Sequence, residues 1–226
     1  MHSNIYIVIP VYNERESIKH VVDSLLLHQY SVIVVDDGST DRSIEIIQTL
    51  PVYYLQHAVN LGQGAAIQTG ISFALLNQAE YIVTFDADGQ HVVADIETLL
   101  TPLLNKEADI VFGSRFIAGS FTNISFGRKV ALNIARLINY LFTGLLLSDA
   151  HNGLRAMNKT AAAIIRIREQ GMAHASELLL EVKRNKLRFC EAPVSILYTD
   201  YSKKKGQPAI NGFKIFFDLL FNKLFK

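Results

Sequence analysis

Short apolar runs, many of them β-branched, alternate with stretches of helical spacing through the first half of the chain. This alternation constrains the fold more than any other feature. Ile5–Ile9 is such a run, and it stops at Pro10. Glu14–His28 follows, with Ile18, Val21, Val22, Leu25 and Leu26 on one helical stripe. Val32–Val35 ends in Asp36 and Asp37, and Ser39 and Thr40 are placed to cap a helix running to about Leu50. Val52–Leu55, Tyr81–Phe85 and Ile110–Phe112 read as further strands, Gly64–Asn77 and Asp95–Leu104 as further helices. Continuous apolar strands alternating with helices predict an α/β fold, a mostly parallel central sheet with helices on both faces. In such sheets ligands sit beyond the carboxyl ends of the strands. Three polar clusters fall at those ends: Pro10–Glu14, Asp36–Asp41 and Asp86–His91. One shared site explains all three. The chain carries no internal repeat, low-complexity segment or clear interdomain linker.

The second half has a different character. Arg128–Leu147 and Ile210–Phe225 predict long helices with narrow polar stripes, Lys129, Asn133 and Arg136 in the first and Lys214, Asp218 and Asn222 in the second. Neither offers 18 uncharged apolar residues, so no transmembrane helix is expected. Both fit helices lying in a membrane interface, and a buried helix or a dimer seam is the alternative for each. The reading divides the chain into a main domain, 1–200, and a basic loop with an amphipathic helix, 201–226. Charge divides too. Met1–Phe112 holds 4 basic and 14 acidic residues, Gly113–Lys226 holds 18 and 7, and the net is only +1. A strongly basic nucleic-acid binder is disfavoured. An acidic half suits a cation, and a basic half suits phosphates or an anionic membrane surface. The single cysteine, Cys190, excludes an intramolecular disulfide or a multi-cysteine zinc site. No basic n-region precedes Ile5, so no signal peptide is expected.

Asp86-Ala87-Asp88-Gly89-Gln90-His91 leaves a strand with two carboxylates two residues apart. In extended chain both point the same way, and two like charges so close favour a cation between them. Hard oxygen ligands suit Mg²⁺ or Mn²⁺. The alternative is a pair of solvated loop acids. Asp36-Asp37-Gly38-Ser39-Thr40-Asp41 offers a carboxylate to a nucleobase or ribose, or is a plain strand-to-helix turn. Asn60-Leu61-Gly62-Gln63-Gly64-Ala65-Ala66 precedes a helix and lets backbone approach a phosphate. Its third glycine falls at Gly70, so it is not the dinucleotide fingerprint, and a nicotinamide enzyme is disfavoured.

These motifs stand in order with Pro10-Val11-Tyr12-Asn13-Glu14 before them and Gly113-Ser114-Arg115 and Asp149-x-x-x-Gly153-Leu154-Arg155 after. The set resembles family 2 inverting glycosyltransferases of the GT-A fold. Within that family it is similar to dolichyl-phosphate mannosyltransferase and bacterial polyprenyl-phosphate sugar transferases, over roughly residues 4–200. The resemblance implies a nucleotide-sugar donor (UDP- or GDP-linked), a divalent metal and a site at the cytoplasmic face of a membrane, with the enzyme bound peripherally. Pro10, Tyr12, Glu14 and Asp37 would line the nucleotide, beside the glycine turn Gly62 and Gly64. Asp86, Asp88 and Gln90 would face the metal and diphosphate. Arg115, Arg128, Lys203 and Lys204 would meet an acceptor phosphate, Arg155 would hold donor or acceptor groups, and Glu177 would face the site from the basic half. The chain departs from the family at Gln63 and Gln68, where cations are common, and its late basic loop, Tyr198–Gln207, has lysines but no arginine. Lysine neutralises phosphate without gripping it bidentately.

Three functions follow from this reading. In the first, a polyprenyl phosphate attacks the anomeric carbon. A phosphate monoester has its second pKa at about 6, so the nucleophile is already anionic and no base is required. In the second, a sugar hydroxyl of a lipid-linked or cell-surface glycan attacks and needs a base, with Asp149 and Glu177 as candidates. In the third, the fold is kept for binding alone by a non-catalytic, membrane-peripheral protein. A homo-oligomer is the other use for the apolar faces.

Overall fold

The computed structural model describes residues 4–124, 126–169 and 173–198. Lys203, Lys204, the basic loop, the expected helix Ile210–Phe225 and the side chain of Arg128 lie outside the described residues. A seven-stranded sheet runs through the molecule. In chain order its strands are β1 (Ile5–Val11), β2 (Ser31–Asp36), β3 (Tyr53–Gln56), β4 (Tyr81–Thr84), β5 (Ile110–Ser114), β7 (Arg155–Asn158) and β8 (Phe189–Pro193). In space the order is β3-β2-β1-β4-β7-β5-β8. Every pairing is parallel except those of β7, which runs antiparallel to β4 and β5. A two-stranded ribbon, β6 (Phe121–Thr122) with β9 (Ser195–Ile196), stands beside it.

The continuous apolar runs are explained by helices on both faces. Ile5, Ile7, Ile9 and Val11 of β1 are buried with Ile18, Leu25 and Leu99, from α1 (Ile18–Leu27) and α4 (Asp95–Leu104). Ile47 of the short α2 (Ser43–Ile47) joins that face. Tyr6 and Val8 point the other way, into a cluster with Ile67, Ile71, Ala162 and Leu179 from α3 (Gln63–Leu76), α6 (Lys159–Ile164) and α7 (His174–Arg184). Gly70 of α3 sits so close to Val8 that a Cβ there would meet its side chain at 2.3 Å.

The helix boundaries differ from expectation where side chains capture backbone. The first helix starts at Ile18, because Glu14–Ser17 is a turn in which Ser17 Oγ donates to Glu14 Oε2 (3.0 Å). Ser39 and Thr40 do not cap a helix. Ser39 Oγ donates to Asp36 and accepts from the Asn13 amide (2.9 Å), and the helix begins only at Ser43. The long amphipathic helix, α5, spans Phe126–Thr143 rather than Arg128–Leu147. Gly144 takes a left-handed conformation (φ 70°) and turns the chain so that Leu147 enters the core. Val130, Ile134, Leu137 and Leu141 recur along α5 at three- and four-residue spacing and remain exposed.

Candidate active site

The parallel strands β1, β2 and β4 end on one rim, and there a cleft of about 390 Å³ opens. Its lining includes Pro10 near the end of β1, Tyr12 and Glu14 after it, Asp37 after β2, Gly62 and Gln63 at the start of α3, and Asp86 and Asp88 after β4. All three polar clusters therefore meet, as the strand-end rule requires. Arg155, Asp149, Arg115 and Glu177 are not in that lining.

Two loops build one wall. Asn13 adopts positive φ (57°), and its side-chain Oδ1 accepts from the amides of Thr40 (2.8 Å) and Asp41 (3.2 Å). The Glu14 amide donates to Ser43 Oγ (3.0 Å). So anchored, Tyr12 stays 45% exposed in the lining of the cleft. On the opposite wall, buried Asp37 accepts from the amides of Leu61 (2.9 Å) and Gly62 (2.7 Å). Gly62 has φ 97°, a conformation that side chains rarely adopt, and it starts α3.

The floor is Asp86 and Asp88. Asp86 Oδ1 accepts from Gln63 Nε2 (3.1 Å), and Oδ2 lies 3.0 Å from His91 Nε2. Gly153 packs so tightly here that a Cβ would stand 2.1 Å from Asp86 Oδ2. Burial works against ionising Asp86, but the hydrogen bond from His91 and the charges of His91, Arg155 and His174 hold its carboxyl below the usual range. Asp88 is pushed the other way, by burial and by the neighbouring charge of Asp86, with Glu14 adding to it. Gln90 answers with two donors, its backbone N (3.0 Å) and its Nε2 (2.5 Å).

These residues fit a hard divalent cation. The donor set is oxygen, and a cation would relieve the repulsion that raises Asp88. Among the described residues no group of three or more His, Cys, Asp or Glu side chains forms a metal cage. Such a floor suits an ion that keeps positions for water and substrate phosphate.

Behind the floor lies a second polar layer. Arg155 opens β7 and is buried; burial lowers its guanidinium to about 10 against the charges of Asp86 and Asp149. Arg115 follows β5 and grips Asp149 with Nε (2.5 Å) and Nη2 (3.2 Å), while Nη1 donates to Tyr198 Oη (2.6 Å). Glu191 of β8 accepts from the Ser148 amide (2.8 Å) and hydroxyl (2.6 Å) and so fixes the turn that carries Asp149. Glu177 Oε2 accepts from the amides of Arg168 and Glu169, both at 2.8 Å. Gln68 Oε1 accepts from Ile167 N (2.8 Å). The 165–169 segment is thereby strapped onto α3, where a Cβ on Gly64 would come 2.0 Å from the Glu169 carbonyl oxygen.

The structure thus brings Pro10, Tyr12, Glu14, Asp37, Gly62, Asp86 and Asp88 to one cleft, and ties Gln90 to Asp88. It places Arg115, Asp149 and Glu177 in contacts within the protein. Sequence reasoning gave no role to His57, His91, Glu191 or Tyr198. His91 carried a signal in its place at the end of the Asp-x-Asp motif, and Tyr198 in its place at the head of the late basic loop. It also read Gln63 and Gln68 as missing cations, whereas one holds Asp86 and the other holds Ile167.

Comparison with known proteins agrees with this architecture. The family model described as glycosyl transferase family 2 matches residues 6–164. The UDP-N-acetylglucosamine–dolichyl-phosphate N-acetylglucosaminyltransferase of Methanococcus voltae is 36% identical, over 98% of this chain and 97% of its own. The dolichol-phosphate mannosyltransferase of Pyrococcus furiosus is 28% identical over 93% of this chain and 60% of its own length. Among solved structures, glucosyl-3-phosphoglycerate synthase of Mycobacterium tuberculosis, in complex with Mn²⁺ and UDP-glucose, superposes with a TM-score of 0.72. It is 17% identical, covering 96% of this chain and 77% of that one. At that identity the likeness speaks for the fold alone. A family match over most of the chain, and a relative this similar along almost its whole length, place the protein in glycosyl transferase family 2.

Proposed function

We propose that the protein moves a sugar from a nucleotide-sugar donor to a polyprenyl phosphate, with inversion and with Mg²⁺ or Mn²⁺ in the site. The observation that carries this reading is the Asp86–Asp88 floor at the end of β4, facing the Tyr12 ring and the Gly62 turn across one cleft. Among donors, UDP-N-acetylglucosamine is the first to test, because the Methanococcus voltae relative is named for it.

The nucleobase lies against Tyr12 and Pro10, and the diphosphate meets the amino end of α3, where backbone N–H groups and the helix dipole favour anions. Asp86, Asp88 and the Gln90 carboxamide would hold the cation. When bound, it neutralises charge that develops on the leaving diphosphate. Buried Arg155 adds fixed positive charge beside Asp86. A phosphate acceptor needs no proton removed. That agrees with the positions of Asp149 and Glu177, the two expected bases, since both carboxylates already accept hydrogen bonds from protein groups. Arg128, Lys203 and Lys204 attract the acceptor phosphate, and Arg115 shapes the wall behind it through Asp149. The exposed apolar stripe of α5 suits a protein lying on the cytoplasmic, anionic face of a membrane. No described helix is long and apolar enough to cross one.

Incubation with Mn²⁺, a panel of nucleotide sugars and a polyprenyl phosphate should yield a glycolipid of the expected mass. Asp88→Asn should lower kcat by about a hundredfold or more, in the range seen when a transition-state electrostatic partner is removed. Full turnover in excess chelator, or product only with a sugar-hydroxyl acceptor, would sink this reading.

A further inference from the structure

We propose that His57 is a positioning residue for the donor: its imidazole is a strut that holds the turn into α3 in its donor-ready shape. The proposal rests on the donor reading above. His57 follows β3, and its backbone N donates to Asp36 O (2.8 Å). Its Nδ1 lies 2.7 Å from Asp37 Oδ1, and its Nε2 lies 3.0 Å from Thr69 Oγ1 in the second turn of α3. The side chain is 11% exposed, and that of Asp37 is 3% exposed.

The protonation pattern follows from the partners. An ionised carboxylate only accepts, so Nδ1 carries the proton and donates to Asp37. In the neutral ring Nε2 then accepts from the Thr69 hydroxyl. The same Asp37 carboxylate accepts from the amides of Leu61 and Gly62. Three donors therefore converge on one buried carboxylate, and two of them belong to the turn that lines the cleft. Removing the imidazole deletes one of the three and leaves Thr69 without its ring partner. The carboxylate is then free to rotate, and the Leu61–Gly62 amides rotate with it.

The order Thr–His–Asp has the appearance of a nucleophile relay, but its placement argues otherwise. Neither His57 nor Thr69 lines the cleft, and Thr69 lies inside a helix. The relay acts on the shape of the turn, so its effect belongs in donor binding rather than in the chemical step.

The test compares His57→Ala, His57→Asn and Thr69→Val with the wild type. Asparagine keeps a donor near the Nδ1 position, and valine removes only the outer contact. Three quantities are read: the UDP dissociation constant with Mn²⁺, donor KM and kcat, and amide hydrogen exchange at Leu61 and Gly62 without ligand. His57→Ala should raise the UDP constant and donor KM about tenfold with kcat within about twofold, the pattern of lost ground-state binding. Exchange at both amides should quicken. His57→Asn should restore most of the loss, and Thr69→Val should shift both readouts the same way by a smaller factor. Unchanged exchange, or faster exchange with unchanged KM, overturns the proposal, as does a fall in kcat alone. If His57→Ala does not fold, the other two variants carry the comparison. A wild-type protein that binds no nucleotide would defeat the donor reading, and amide exchange would still decide whether His57 holds the turn.

Discussion

Asp88 shows how a single carboxylate can weaken a fold and, in the function proposed above, serve a reaction. Burial and the charge of Asp86 raise its pKa, so ionising it opposes folding when no cation is bound. For a group raised in the folded state, its contribution is fully present below the unfolded value, about 3.9 for aspartate. That contribution is lost as pH rises through the folded value. In chelator, the stability advantage of Asp88→Asn over wild type should therefore grow as pH rises above about 4, while its activity is lost throughout. Thermal melts with and without Mn²⁺ check this. Wild type should also gain more from the ion than the variant does. Arg115 and Asp149 act at the same scale with the opposite sign. They form a buried two-pronged ion pair, and removing one partner strands the other. Asp149→Asn should cost roughly 3–5 kcal/mol. A shift of ~2–4 °C per kcal/mol makes that visible as a melting point lower by roughly 10 °C. An unchanged melting point would show the pair to be dispensable.

At the scale of elements, the sequence made five of the sheet's seven strands legible and left β7 and β8 dark, for a physical reason. β1, β2 and β4 are runs of buried residues that no other structure accommodates, and their ends carried the polar clusters that proved to share a cleft. β7 is only Arg-Ala-Met-Asn. It is a strand because β4 and β5 pair with it on both sides, and local pattern does not record that. Asp37 and Glu177 illustrate the same limit in the site. Residue type announced a carboxylate, while the partner amides at Leu61, Gly62, Arg168 and Glu169 came only with the fold. One clasp between elements makes a prediction. Asp109, just before β5, accepts from the Arg188 side chain and amide before β8 and from Asn158 Nδ2 of β7. Chiefly through the Arg188 hydrogen bond, its carboxyl is held down to about 2. A depressed carboxylate lends stability above its unfolded pKa and loses it as pH falls through the folded one. Denaturant midpoints should therefore fall between about pH 4 and pH 2, and Asp109→Asn should flatten that part of the profile. A parallel decline in both proteins would assign the acid sensitivity elsewhere.

For the whole molecule, the charge asymmetry and the apolar stripe of α5 call for one experiment. The protein should sediment with anionic vesicles and lose much of that binding in high salt, because exposed charges are screened. Leu137→Glu and Leu141→Glu, both on exposed positions, should weaken vesicle binding without changing the melting point. Truncation after Pro208 tests the C-terminal segment independently. Dissociation of a dimer by these changes, with no vesicle binding by the parent, would identify a subunit interface instead. The sheet order has a different consequence, for the birth of the protein. β5 precedes β7 in the chain but lies beyond it in the sheet. Until Asn158 has left the ribosome, β4 has no neighbour on that side and β5 has nowhere to dock. At ~5–20 residues per second, the nascent chain carries an open strand edge for roughly 4–15 s. Such an edge invites pairing with other chains, so this protein should depend on holdase chaperones during synthesis more than during later life, and pulse-labelled chains arrested before residue 155 should aggregate where full-length chains do not.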